Sequence, residues 1–161
     1  MSAPAAVSED PIAFWNGRAA DRWTRDQARL DLSLRPFGDA AMRAAAVKPG
    51  ERVVDVGCGC GDTTIALAAQ VGSSGHVLGV DVSAPMLARA GERSAHLANV
   101  TYVEQDATLL DATTRANALF SRFGVMFFAT PERTFKALAG ALAPGGRIAF
   151  VCWRAFADNP W

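Results

Sequence analysis

Apolar residues recur along the chain in two rhythms, and the rhythm changes near residue 52. Before it, Ile12, Trp15, Ala19 and Trp23 return at the spacing of one helical face, with Arg18, Asp21, Arg22 and Arg25 between them. Asp10-Pro11 marks the start of that helix: a side-chain cap, then proline where no donor is needed. The pattern predicts one amphipathic helix laid with its apolar face on something else. Pro36 opens a second, alanine-rich helical stretch that stops at Lys48-Pro49-Gly50.

From Arg52 short β-branched runs alternate with helical segments. Val53, Val54 and Val56 form a strand that stops at Gly57, and Thr63 to Val71 reads as a helix broken by Gly72-Ser73-Ser74-Gly75. His76 to Val82 is a second strand. Ser83 caps a helix with Pro85 in its first turn, carrying Met86, Leu87, Ala90 and Leu97. Val100 to Val103, Ala118 to Phe123 and Ile148 to Trp153 are further strands, with a helix from Thr130-Pro131 ended by Pro144-Gly145-Gly146. Asp106 to Arg115 is polar and loop-like. Alternation of this kind predicts an α/β fold: a doubly wound parallel sheet of about five strands, with the N-terminal helices added. The strands are nearly unbroken apolar runs, as befits a sheet covered on both faces.

Composition narrows the picture. Half the residues are hydrophobic and 20% are charged, the balance of a globular chain. Sixteen basic and sixteen acidic residues cancel, so no basic field points to nucleic acid. The three cysteines, Cys58, Cys60 and Cys152, have the spacing of neither a disulfide framework nor a zinc site. They read as small, buried, reduced residues of a cytoplasmic protein, and no metal is expected. No apolar stretch approaches the roughly 20 residues of a membrane span, and the Ala/Ser/Pro-rich start, residues 1–10, is expected to be disordered rather than a signal peptide.

The segment Asp55-Val56-Gly57-Cys58-Gly59-Cys60-Gly61-Asp62 lies between a strand and a helix. Gly57 supplies backbone angles other residues avoid, and Gly59 lets the main chain approach a ligand closely. The helix start offers unpaired N–H groups. In a dinucleotide fingerprint the third glycine would stand where Asp62 is, and a carboxylate there opposes a pyrophosphate. A ligand carrying a sulfonium and an ammonium tolerates both Asp55 and Asp62. Asp81 ends the next strand, roughly 20 residues on, where an acidic residue accepts from ribose hydroxyls. Asp106, at the end of the third strand, is placed for an adenine amino group, and Met86 for an adenine face. Each has a plainer alternative: a tight turn for the glycines, a turn or cap for Asp81, a loop opener for Asp106, core packing for Met86. Trp15 and Trp23 line an acceptor pocket or simply pack their helix on the core.

Residues Val53 to Asp106 resemble the class I methyltransferases that use S-adenosyl-L-methionine (SAM). Asp55 to Gly61 is similar to their first motif, Gly79 to Ser83 to the second and Gln105-Asp106-Ala107 to the third. Ser121 to Phe128, Pro144 to Arg147, Trp153-Arg154 and Asn159-Pro160-Trp161 resemble the ubiquinone/menaquinone-type, small-molecule branch. The resemblance implies a Rossmann-like fold and methyl transfer from SAM to a small acceptor. It implies that Gly57, Cys58 and Gly59 line the methionine part, that Asp55 helps hold its amino group and that Arg122 borders its tail. It places Asp81 at the ribose, Val82 and Met86 on the adenine faces, and Asp106 and Ala107 at the adenine's polar edge. No general base is nominated, and His76 and His96 are expected at the surface. Residues 11–161 are expected to form a SAM-binding core that lacks the family's final antiparallel hairpin, leaving the fifth strand open to self-association. The alternatives are a SAM-binding fragment without turnover and a nicotinamide-dependent oxidoreductase.

Overall fold

Five parallel strands, ordered β3-β2-β1-β4-β5, form the centre of the computed structural model, which describes residues 10–158. The N-terminal stretch before Asp10 and the Asn159-Pro160-Trp161 triplet lie outside the described residues. In chain order the elements are α1 (Pro11–Asn16), α2 (Arg18–Arg25), α3 (Gln27–Ala45), β1 (Arg52–Val56), α4 (Asp62–Val71), β2 (His76–Asp81) and α5 (Ala84–Ser94). There follow β3 (Val100–Glu104), a 3-10 turn at Ala107–Leu109, β4 (Ala116–Arg122), α6 (Pro131–Ala141) and β5 (Leu142–Val151).

Alternation along β1 sends neighbouring side chains to opposite faces. Val53 joins Met42, Leu67, Val71 and Phe120 beneath α3 and α4, while Val54 and Val56 join Leu119, Leu138 and Ala141 beneath α6. Both faces are thus covered at the central strand, as its apolar run predicts, while Val103 of β3 and Phe150 of β5 stay exposed. β1 pairs with β2 on one side and β4 on the other. The chain winds outward from β1 to β3, then returns to β4, which opens a crevice at the carboxyl ends of β1 and β4, where ligands of such sheets bind.

The N-terminal helices depart from the expected pattern. The predicted single helix is two, parted at Gly17 (φ −100°, ψ −135°). Asp10 caps the first as expected, accepting from the Ile12 N–H at 3.1 Å. Pro36 does not open a helix; it sits inside α3, which begins at Gln27. An interior proline removes a ladder hydrogen bond. Tertiary anchors hold α3 through that defect. Ala41, Met42 and Ala45 lie in the core, and Arg147 of β5 clamps the far end. Its guanidinium donates to the Ala45 and Ala46 carbonyls and pairs with Glu51 at 2.7 Å. That bond is the main cause holding the Glu51 carboxyl below its ordinary pKa.

Smaller differences concern boundaries. Leu97 lies beyond α5, and β4 starts at Ala116, before the expected Ala118. The run Pro144-Gly145-Gly146 falls within β5, beside a register shift between Ala116 and Ala118. Cys152 is exposed, against the expectation of burial, because it follows β5 at the margin of the sheet.

Candidate functional site

Gly57, Gly59 and Gly61 all take positive φ, of 69°, 53° and 82°. Each has a distinct steric reason. A Cβ on Gly57 would stand 2.8 Å from the Gly124 Cα, where the β4 exit passes the loop. One on Gly61 would meet the Tyr102 hydroxyl at 2.7 Å and Ala90 at 2.9 Å, so this glycine seats α4 against α5 and β3. One on Gly59 would meet nothing closer than the Met86 Sδ at 3.9 Å; Gly59 borders open space.

The loop is fastened to β2. The Val80 carbonyl accepts from Gly57 and Cys58 N–H groups at 2.8 and 3.2 Å, and the Asp81 carboxylate accepts from the Gly59 N–H at 2.8 Å. The other Asp81 oxygen accepts from the Ser83 N–H at 2.9 Å. Asp81 therefore does turn work, the plainer alternative, while also facing the crevice. Burial raises its pKa above the ordinary value.

The crevice is a cavity of about 470 Å³, within the usual range for small-molecule sites. Gly57, Cys58, Gly59, Asp81 and Val82 line it, with Met86, Asp106, Ala107 and Arg122. Asp55 is set back from it. Asp55 is wholly buried, and one oxygen accepts from the Thr63 and Thr64 hydroxyls, each at 2.7 Å. The other oxygen has no partner among the described residues, and burial raises the carboxyl pKa to about 6. Burial likewise drives the Cys58 thiol well up and Cys60 to about 11, so neither is a thiolate near neutral pH.

Asp62, expected beside the ligand, turns away. It pairs with Arg122 at 2.9 Å and Arg93 at 3.6 Å and does not line the cavity. Asp31 of α3 completes the cluster, 3.0 Å from Arg93 and 3.4 Å from Arg122. Gln27 donates to Asp31, and Arg93 to the Cys60 carbonyl. Two guanidinium groups and two carboxylates thus neutralise one another under the loop and tie α3, α4, α5 and β4 together. Gln27, Leu30, Asp31 and Leu34 all face the cavity. Their spacing is that of one helical face, a signal hidden by starting the helix at Pro36.

The opposite wall is aromatic. Trp15 meets Phe127 edge-on at 4.8 Å and Trp23 at 6.2 Å; Phe123 stacks on Trp153 at 4.6 Å. Both tryptophans of the N-terminal helices line the cavity while packing on each other. Met126, Phe127, Phe128 and Arg133 join this wall from the β4–α6 segment. His96 is exposed and His76 half-buried at the amino end of β2, the end of the strand opposite the cavity. Among the described residues no group of His, Cys, Asp and Glu could hold a metal ion, and no helix is long and apolar enough to cross a membrane.

Comparison with known proteins shows the family and the fold. Residues 53–146 match the family described as a methyltransferase domain. A 2-phytyl-1,4-naphtoquinone methyltransferase of Synechococcus elongatus is 34% identical over 115 residues, which are 69% of this chain and 49% of that protein. A demethylmenaquinone methyltransferase of Staphylococcus aureus is 36% identical over 112 residues, 69% of this chain and 46% of its own. The chain spans about half the length of these curated relatives. Among solved structures, a SAM-dependent methyltransferase from Aquifex aeolicus shares the fold, with a TM-score of 0.66 at 22% identity over 94% of this chain and 78% of its own. Phosphoethanolamine N-methyltransferase 2 of Haemonchus contortus, in complex with SAM, has a TM-score of 0.64 at 28% identity, covering 71% of this chain and 27% of that one.

Proposed function

The chain belongs to the methyltransferase-domain family, and we propose that its cavity binds SAM and presents the methyl group to a small, planar acceptor of the quinone class. The observation that carries this reading is Gly59. Its bare face borders open space beside Met86, with Asp81 and Asp106 at the ends of the next two strands, all around one cavity. A cofactor of SAM's length and polarity suits that cradle, and the buried oxygen of Asp55 that lacks a partner among the described residues belongs to the strand leading into the glycine loop.

In this reading Gly57, Cys58 and Gly59 line the methionine part, and Arg122 borders its tail from the neutral charge cluster. Asp81 accepts from the ribose, Val82 and Met86 flank the adenine, and Asp106 with Ala107 meets its polar edge. SAM supplies a methyl group on a sulfonium, a carbon already activated for displacement. The protein's part is alignment and exclusion of water. The aromatic wall suits a flat acceptor and favours a nearby cation through its π faces. The relatives named for naphthoquinone and menaquinone substrates support that acceptor class.

Calorimetric titration with S-adenosylhomocysteine and with NADH, side by side, tests the cofactor. The reading expects heat from the first and none from the second; the reverse result would establish the oxidoreductase alternative. Labelled SAM with a reduced naphthoquinone then tests turnover. Incorporation is expected, and binding without incorporation would reduce the function to cofactor binding.

A further inference from the structure

Asn16 closes α1, yet its amide serves another helix. Its Nδ2 donates to the Val82 carbonyl at 2.8 Å and its Oδ1 accepts from the Ala84 N–H at 3.0 Å. Ala84 opens α5. The residue stationed to cap that helix, Ser83, makes no side-chain cap bond, and its buried Oγ has no partner among the described residues. Helix starts leave N–H groups that need an acceptor. Here α1 supplies one, so the cap of α5 comes from a segment 68 positions earlier.

The turn that Asn16 grips joins Asp81 to Met86, and Asp81 holds it from the other side through the Ser83 and Gly59 N–H groups. The same six-residue helix carries Ile12 and Trp15 into the cavity, where Trp15 meets Phe127. Beyond these bonds α1 is fastened by the ring contacts of Trp15 with Phe127 and Trp23. Gly17 breaks it from α2, and Ile12 and Phe14 are 48% and 45% exposed.

We propose that Asn16 is a positioning residue that couples the two halves of the cavity. One amide sets the Val82–Ala84 turn for the adenine end of the cofactor and seats Trp15 as a wall of the acceptor half. The proposal rests on the cofactor assignment above. Linkage makes the coupling reciprocal: the factor by which seated α1 strengthens cofactor binding is the factor by which bound cofactor strengthens the seating of α1.

Amide hydrogen exchange of the whole chain, with and without saturating S-adenosylhomocysteine, reads the coupling directly. In the unaltered protein the ligand should slow exchange in the glycine loop, in residues 81–86 and in residues 11–16 together. In Asn16→Ala the glycine loop should still respond while residues 11–16 no longer do. The dissociation constant should rise about tenfold, the scale of one or two exchanged hydrogen bonds. Asn16→Asp keeps an acceptor for the Ala84 N–H but sets a carboxylate against the Val82 carbonyl. It should melt near the unaltered temperature and still lack the α1 response. If Asn16 merely supports the fold, Asn16→Ala lowers the melting temperature yet leaves ligand affinity and the α1 response intact, and the proposal is overturned. Protection of the glycine loop in the unaltered chain without any response of α1 overturns it as well, while leaving the cofactor assignment standing. A glycine loop indifferent to the ligand overturns both.

Discussion

The two halves of the cavity are built by different means. On the glycine-loop side, proposed above for the cofactor, Gly57, Cys58 and Gly59 are fixed by main-chain bonds to Val80 and by the Asp81 carboxylate, with positive φ at both glycines. On the aromatic side, side chains from distant segments meet in ring pairs, Trp15 with Phe127 and Phe123 with Trp153, and Phe127 is still 48% exposed. One half is specified by backbone geometry, which tolerates almost no substitution. The other is specified by apolar volume, which tolerates many.

The sharpest way to break that contrast is Gly59→Val. A branched side chain would have to adopt φ near +53° and would fill the space beside Met86. S-adenosylhomocysteine binding should vanish from a calorimetric titration while the thermal melt survives; retained micromolar affinity in the folded variant would remove the loop from the site.

Asp55 tests how far burial shapes this half. Its folded pKa, about 6, lies above the ordinary 3.8, so the folded state holds its proton more tightly. The stabilisation is fully present below the ordinary value and is lost as pH rises through about 6, a change of about 3 kcal/mol. Urea unfolding of the unaltered chain and Asp55→Asn across this window should differ by a slope of that sign. Parallel curves would show that Asp55 does not titrate in it.

Asp81→Ala should weaken S-adenosylhomocysteine binding by about 1.5–3 kcal/mol, the scale of hydrogen bonds to a charged group. Unchanged binding with a lowered melting temperature would leave Asp81 only its turn, the bonds to Gly59 and Ser83. The smallest effect belongs to the aromatic side. Phe127→Leu keeps apolar volume at an exposed position, and cofactor affinity should move by about twofold or less. A tenfold loss would place Phe127 on the cofactor side and dissolve the distinction.

The same contrast explains what could be read from the sequence. The glycine loop, Asp81 and Asp106 were legible because each stands at a strand end, and strand order follows from alternation. Asp62 misled, because its charge looked available to a ligand when two arginines from β4 and α5 consume it. Gln27 and Asp31 are hidden in the sequence because Pro36 reads as the opening of their helix; sequence cannot show that Arg147 and the Asp31 cluster hold α3 through a proline. Gly17 was passed over inside a helical rhythm that continues on both sides of it. Asn16 is illegible because its partners, Val82 and Ala84, are distant in sequence and offer only backbone.

The Arg147 clamp also bears on the order of assembly. Its bonds to the Ala45 and Ala46 carbonyls span 102 and 101 positions. Among the described residues the strand that bears Arg147 comes last in the sheet, and parallel pairings of this kind close only across long stretches of chain. Such closures cost entropy before any contact repays them, and chains dominated by them fold slowly. During synthesis α3 is complete long before its clamp exists, while the proline inside it weakens it as an isolated helix. Its docking, and with it the seating of Asp31 under the glycine loop, waits on pairing of the strand that bears Arg147.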